Sequence, residues 1–73
     1  MIVSEIYRKI TSAKFKMNAY ARAYFDNFGD AQARFGEEGV RAQILYFFCN
    51  VRAMTPEQKQ VKKELLDWAN GGN

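Results

Sequence analysis

The six consecutive apolar residues Ile44-Leu45-Tyr46-Phe47-Phe48-Cys49 constrain this chain more than any other feature. They lie inside a stretch patterned as a helix, and a helix that is apolar on every side needs cover on every side. A chain of 73 residues has little else to supply it, because a domain this small buries only about 60% of the surface it exposes when unfolded. Covalent and metal staples do not fit. Cys49 is the only cysteine, so no disulfide forms within the chain, and one Cys with no His makes no structural zinc set. Oligomerisation is the remedy left, together with one Trp, four Tyr and six Phe, each able to bury a large area.

Glycines mark edges at Gly29, at Gly36 and Gly39, and at Gly71 and Gly72, dividing the chain into three helical segments. In the first, from about Ser4 as N-cap to Phe28, the residues Ile6, Ile10, Ala13, Met17, Tyr20, Tyr24 and Phe28 recur at three- and four-residue spacings. That is one stripe down a single helix. Asn27-Phe28-Gly29-Asp30 reads as its stop, although the pattern extends through Ala31 and Phe35, which leaves a kink as the alternative. The second segment runs from about Glu37 to Ala53 with Val40, Ile44, Phe47, Val51 and Met54 as its main stripe. A buried strand over residues 44–51 is the competing reading, since a short apolar run is not typed by period alone; no other segment offers it a strand partner. The third segment has Thr55 as N-cap, Pro56 at its first position and Gln58 completing a capping box, with Val61, Leu65 and Trp68 on one face and Gly71 as a left-handed stop.

These segments predict an all-α fold in a single domain, residues 1–73: a long N-terminal helix against an antiparallel pair formed by 37–53 and 56–70. At 1.5 Å per residue the three helices would be about 37, 25 and 22 Å long. The first overhangs any one partner in its own chain. The expected core is Ile6, Ile10, Met17, Tyr20, Tyr24, Ile44, Phe47, Phe48, Val51, Leu65 and Trp68.

Little supports catalysis, so the expectation is a protein that is not an enzyme and has no cofactor. Without His the commonest general base near neutral pH is missing, and no Ser-His or Cys-His nucleophile pair exists. Cys49 is expected to be buried and inert in its apolar stretch. Asp26, Asn27 and Asp30 lack the alternating ligands and distal Glu of a calcium loop. Glu37 and Glu38 read as acids favouring the positive end of the second helix, and Gly36-Glu37-Glu38-Gly39 lacks the Lys and Ser/Thr of a phosphate loop. The first ten residues carry Glu5, Arg8 and Lys9, which leaves no signal-peptide core, and the longest apolar run falls far short of the roughly 20 residues that span a bilayer. A soluble, cytoplasmic protein is expected.

The net charge of +3 is unevenly spread: residues 1–25 carry Arg8, Lys9, Lys14, Lys16 and Arg22 against Glu5 alone. A solvated helix face explains that excess more simply than a phosphate-binding surface. Phe15, between two lysines and opposite the first stripe, is expected at a partner or dimer interface with Leu45, Tyr46 and Cys49.

Two resemblances bear on function. Residues 31–41, Ala-Gln-Ala-Arg-Phe-Gly-Glu-Glu-Gly-Val-Arg, resemble the turn of helix-turn-helix repressors. This implies a small DNA-binding regulator in which Lys14, Lys16, Arg22, Arg34 and Arg41 contact nucleic acid. The stretch departs from that pattern after Gly36, where it is one residue short and carries Gly39 and two acids, and the next helix is too apolar for a major groove. Residues 40–46 with Asn50, Val61, Lys62, Lys63 and Leu65 resemble small phage and mobile-element proteins, which implies an accessory protein that binds a host macromolecule. The favoured expectation is a non-enzymatic protein-binding module that forms a homodimer and regulates or inhibits a host macromolecule. The DNA-binding regulator is the alternative.

Overall fold

The computed structural model describes residues 1–72, and among them there is no strand. The described residues form an all-α fold of four helices: α1 (Val3–Ala13), α2 (Ala19–Asp26), α3 (Phe28–Cys49) and α4 (Pro56–Ala69). The molecule measures 32 × 28 × 19 Å, so its shortest dimension holds two helices at about 10 Å each.

The single long N-terminal helix is not formed. It breaks after Ala13, where Lys14 turns left-handed (φ 58°, ψ 47°), and the next helix begins at Ala19. No Gly or Pro marks the break. What decides it is Phe15, which is 7% exposed and meets Phe48 edge-on at 5.6 Å and Phe47 at 6.4 Å between ring centroids. On an unbroken helix Phe15 would face away from the core. Burying a phenylalanine contributes about 1.5–3 kcal/mol, enough to offset the roughly 1–2 kcal/mol of one left-handed residue. The expectation of Phe15 at an exposed interface is therefore corrected: it is core. Helix α2 restarts where local chemistry allows, with Asn18 Oδ1 accepting from the Ala21 N–H at 2.8 Å.

The break also moves the rest of the first stripe. Ile6 and Ile10 are buried, Met17 and Tyr24 only half-buried, and Tyr20 is 71% exposed. Ser4 is not the N-cap of α1; Ile2 holds that place with no side-chain bond. The stop expected at Asn27-Phe28-Gly29-Asp30 is present, since α2 ends at Asp26 with Asn27 as its cap, but Gly29 itself lies within α3. The turn in α3 comes at Gly36, whose φ of 69° and ψ of −153° belong to a region essentially reserved for glycine. The two halves, 28–35 and 37–49, fold together tightly enough that a Cβ on Gly39 would sit 2.7 Å from the Ala31 carbonyl oxygen.

Residues 50–54 leave the helix, so Met54 of the expected second stripe is exposed. The second helix does deliver Val40, Ile44, Phe47 and Phe48 to the core, with Val51 just beyond. Phe28 joins them from the start of α3, meeting Tyr7 edge-on at 5.6 Å.

Helix α4 carries the capping box expected of it: Thr55 Oγ1 accepts from the Gln58 N–H at 3.0 Å, and Gln58 Oε1 accepts from the Thr55 N–H at 3.4 Å. It ends on Gly71 with φ 104°, the Gly72 N–H donating to the Asp67 carbonyl at 2.8 Å. Leu65 and Trp68 enter the core. Two contacts place α4 antiparallel to α1: Lys9 Nζ lies 2.6 Å from Glu64 Oε2, and Gln58 Nε2 donates to the Ala13 carbonyl at 3.0 Å. Arg41, near the start of the 37–49 half, packs on Trp68 near the end of α4, so these two also run antiparallel.

Candidate functional site

The 37–49 half of α3 has two different sides. Val40, Ile44, Phe47 and Phe48 point inward. On the outward side stand Glu38, Ala42, Leu45 and Cys49, at spacings of four, three and four, with Tyr46 beside them. At 100° per residue the first four fall within about a 60° arc. Leu45 is 37% exposed, Tyr46 is 55% exposed, and Ala42 and Cys49 are exposed. The interior of this small fold thus satisfies one side of the apolar helix and leaves the other uncovered.

Neighbouring helices hold the ridge in place. On one side Tyr46 stacks on Tyr24 of α2 (centroids 5.7 Å apart, planes at 23°), and Gln43 Nε2 donates to the Tyr24 carbonyl at 3.3 Å. On the other, Ala42 and Leu45 share an open groove of about 520 Å³ with Ala69 and Asn70 at the end of α4. Asn50 closes the helix by donating from Nδ2 to the Tyr46 carbonyl at 3.1 Å. Tyr46, Gln43 and Asn50 are thus each held by a contact to a neighbouring residue.

Three of the four expected interface residues, Leu45, Tyr46 and Cys49, meet on this ridge; Phe15 does not. The expectation that Cys49 is buried is overturned, because the side of the helix that carries it faces out.

The expected nucleic-acid set comes together only in part: Lys14 shares one concavity with Lys16 and another with Arg22, while Arg41 stands apart. Lys14 and Lys16 stand near the N-terminal end of α4, around a concavity shared with Arg52 and Met54. Arg41 stands at the other end of α4, about 20 Å away by helix rise. Its half-buried guanidinium lies 4.3 Å over the Trp68 ring, donates to the Trp68 carbonyl and sits 3.5 Å from Glu37. Arg22 pairs with Asp26 at 3.5 Å and Arg34 with Asp30 at 2.9 Å. Residues 31–41 do form helix, corner and helix, but the second helix gives its inner face to the core and opens with Glu37 and Glu38.

Sequence reasoning missed two positions that matter here. Arg52 closes the basic end of the ridge, lining a second concavity with Cys49 and Lys62; its place just past a helix end gave no periodic signal. Gln58 was read only as a helix cap, and its reach to α1 is a long-range contact.

Among the described residues every buried side-chain nitrogen and oxygen has a hydrogen-bond partner, so no buried polar group points to a bound ligand. No three His, Cys, Asp or Glu side chains among them are grouped to hold a metal ion. No helix among the described residues is long and apolar enough to cross a membrane. Comparisons with protein-family models, curated proteins and solved structures found no match to this chain.

Proposed function

We propose that this chain is a non-enzymatic protein-binding module whose docking face is the outer side of α3. One observation carries the reading: Ala42, Leu45, Tyr46 and Cys49 form a continuous exposed apolar ridge on a helix whose opposite side already fills the core. Single exposed apolar residues are ordinary, whereas contiguous ones rimmed by charge mark interaction surfaces. Glu38 lies at one end of this ridge and Arg52 at the other. The resemblance of residues 40–65 to small phage and mobile-element proteins supports an accessory role, regulating or blocking a partner by occupying its surface.

The test is capture from lysate with wild-type and Leu45→Asp chains as bait, each with and without nuclease. A protein partner should survive nuclease, tolerate high salt and be lost with Leu45→Asp. Recovery that needs nucleic acid and falls steeply with ionic strength transfers the reading to the DNA-binding regulator.

A further inference from the structure

Glu38 stands two turns before Leu45 on α3 and Arg52 lies just past the other end of that helix beside Cys49; both are exposed, and neither takes part in an ion pair among the described residues. We propose that the outer face of α3 docks against the same face of a second copy of this chain, the two ridges running antiparallel about a two-fold axis at Leu45. The proposal rests on the docking reading above and names its partner.

The ridge has the pattern that two-fold pairing requires. In such an interface, if residue i meets residue j, then j meets i. With Leu45 on the axis, the Glu38 end of each ridge faces the end of the other where Arg52, just past the helix, lines a concavity with Cys49. Ala42, three positions before Leu45, falls opposite Cys49, four positions after it. The small side chains of Ala42 and Cys49 let the helices approach, and Leu45 fills the centre. Charge selects the direction. One end of the ridge carries Glu38, unpaired among the described residues, with Glu37 beside it paired to Arg41, and the other carries Arg52 with Lys62 across the same concavity. Antiparallel pairing sets acidic end against basic end twice, whereas parallel pairing sets like against like. An unrelated partner has no reason to match a ridge whose charge reverses about its own midpoint.

Sedimentation velocity on the full chain at tens of micromolar should show a dimer. Glu38→Arg and Arg52→Glu, both exposed and so compatible with folding, should each weaken it about tenfold or more, because each reversal acts at two places in the dimer. The double variant E38R/R52E should restore it. Under oxidation L45C/C49S should give a covalent dimer. Wild-type chain should not, because the two Cys49 residues would lie about 12 Å apart along the axis, beyond the roughly 7 Å that a disulfide tolerates between Cα atoms. Failure of the charge swap to restore association, or ready cross-linking through Cys49, overturns the antiparallel pairing. A compact wild-type monomer whose protein partner is still lost on Leu45→Asp overturns the second copy and leaves the docking face standing. A dimer indifferent to Leu45→Asp removes both.

Discussion

Gln58 Nε2 donates to the Ala13 carbonyl at 3.0 Å, across 45 residues of sequence. The same amide reaches the Lys14 carbonyl at 3.1 Å, while Gln58 Oε1 accepts from the Met54 N–H at 2.8 Å. One buried side chain thus caps the start of α4 and the end of α1 together.

Gln58→Ala should therefore cost more than a helix cap alone. A lost cap is worth about 1 kcal/mol, and carbonyls left unpaired at a buried helix end add about 1–3 kcal/mol. Urea unfolding should show a loss of about 2–4 kcal/mol with an unchanged slope. Gln58→Glu should not recover it, since a carboxylate cannot donate to the two carbonyls.

Two glycines in α3 should respond in opposite directions. Gly36→Ala meets no steric obstacle, but φ 69° and ψ −153° strain any side chain by about 1–3 kcal/mol. Gly29 has helical neighbours and open space around its missing Cβ. Gly29→Ala should stabilise by about 0.5–1 kcal/mol, raising Tm by roughly 2–8 °C. A thermal melt of both variants checks the pair.

Core and surface aromatics should separate sharply. Phe47 is fully buried and meets Phe15, Phe25, Phe28 and Phe48. Phe47→Ala should cost about 3–5 kcal/mol, comparable to the whole stability of a small domain, and leave the chain largely unfolded by circular dichroism. Tyr20→Ala, at an exposed position, should change stability by less than about 0.5 kcal/mol.

Arg41→Lys should weaken the joint between α3 and α4 by about 1 kcal/mol, because a lysine ammonium does not reproduce the planar stacking on Trp68. Trp68 fluorescence should report it, shifting red as water reaches the ring. Glu37→Gln, which breaks only the exposed side of that arrangement, should be nearly silent.

The parts of the fold legible in the sequence are those decided by local chemistry. Helix α4 could be read from Thr55, Pro56, Gln58 and Gly71, each acting within a turn of its own position. The two-sided character of residues 44–49 could be read as well, and with it most of the docking ridge. The break at Lys14 could not. It depends on Phe15 finding Phe47 and Phe48, more than 30 residues away in sequence, against a local pattern that continued the helix. The position of the turn in α3 was half legible. Gly36 was visible as an edge, but Gly29 offered the same signal, and only the close approach of Gly39 to Ala31 distinguishes them. Arg41 looked like a free cation because nothing near it in sequence announces Trp68.

The bridge from Gln58 to Ala13 also bears on how the chain acquires its shape. Helix α1 is too short to persist alone in water, and its far end is held by residues of α4. During synthesis the first helix therefore emerges without its support and must wait until most of the chain has followed. No N-terminal fragment ending before Gln58 should hold α1 in place, and shortening the chain there should abolish the fold as a whole rather than trim it.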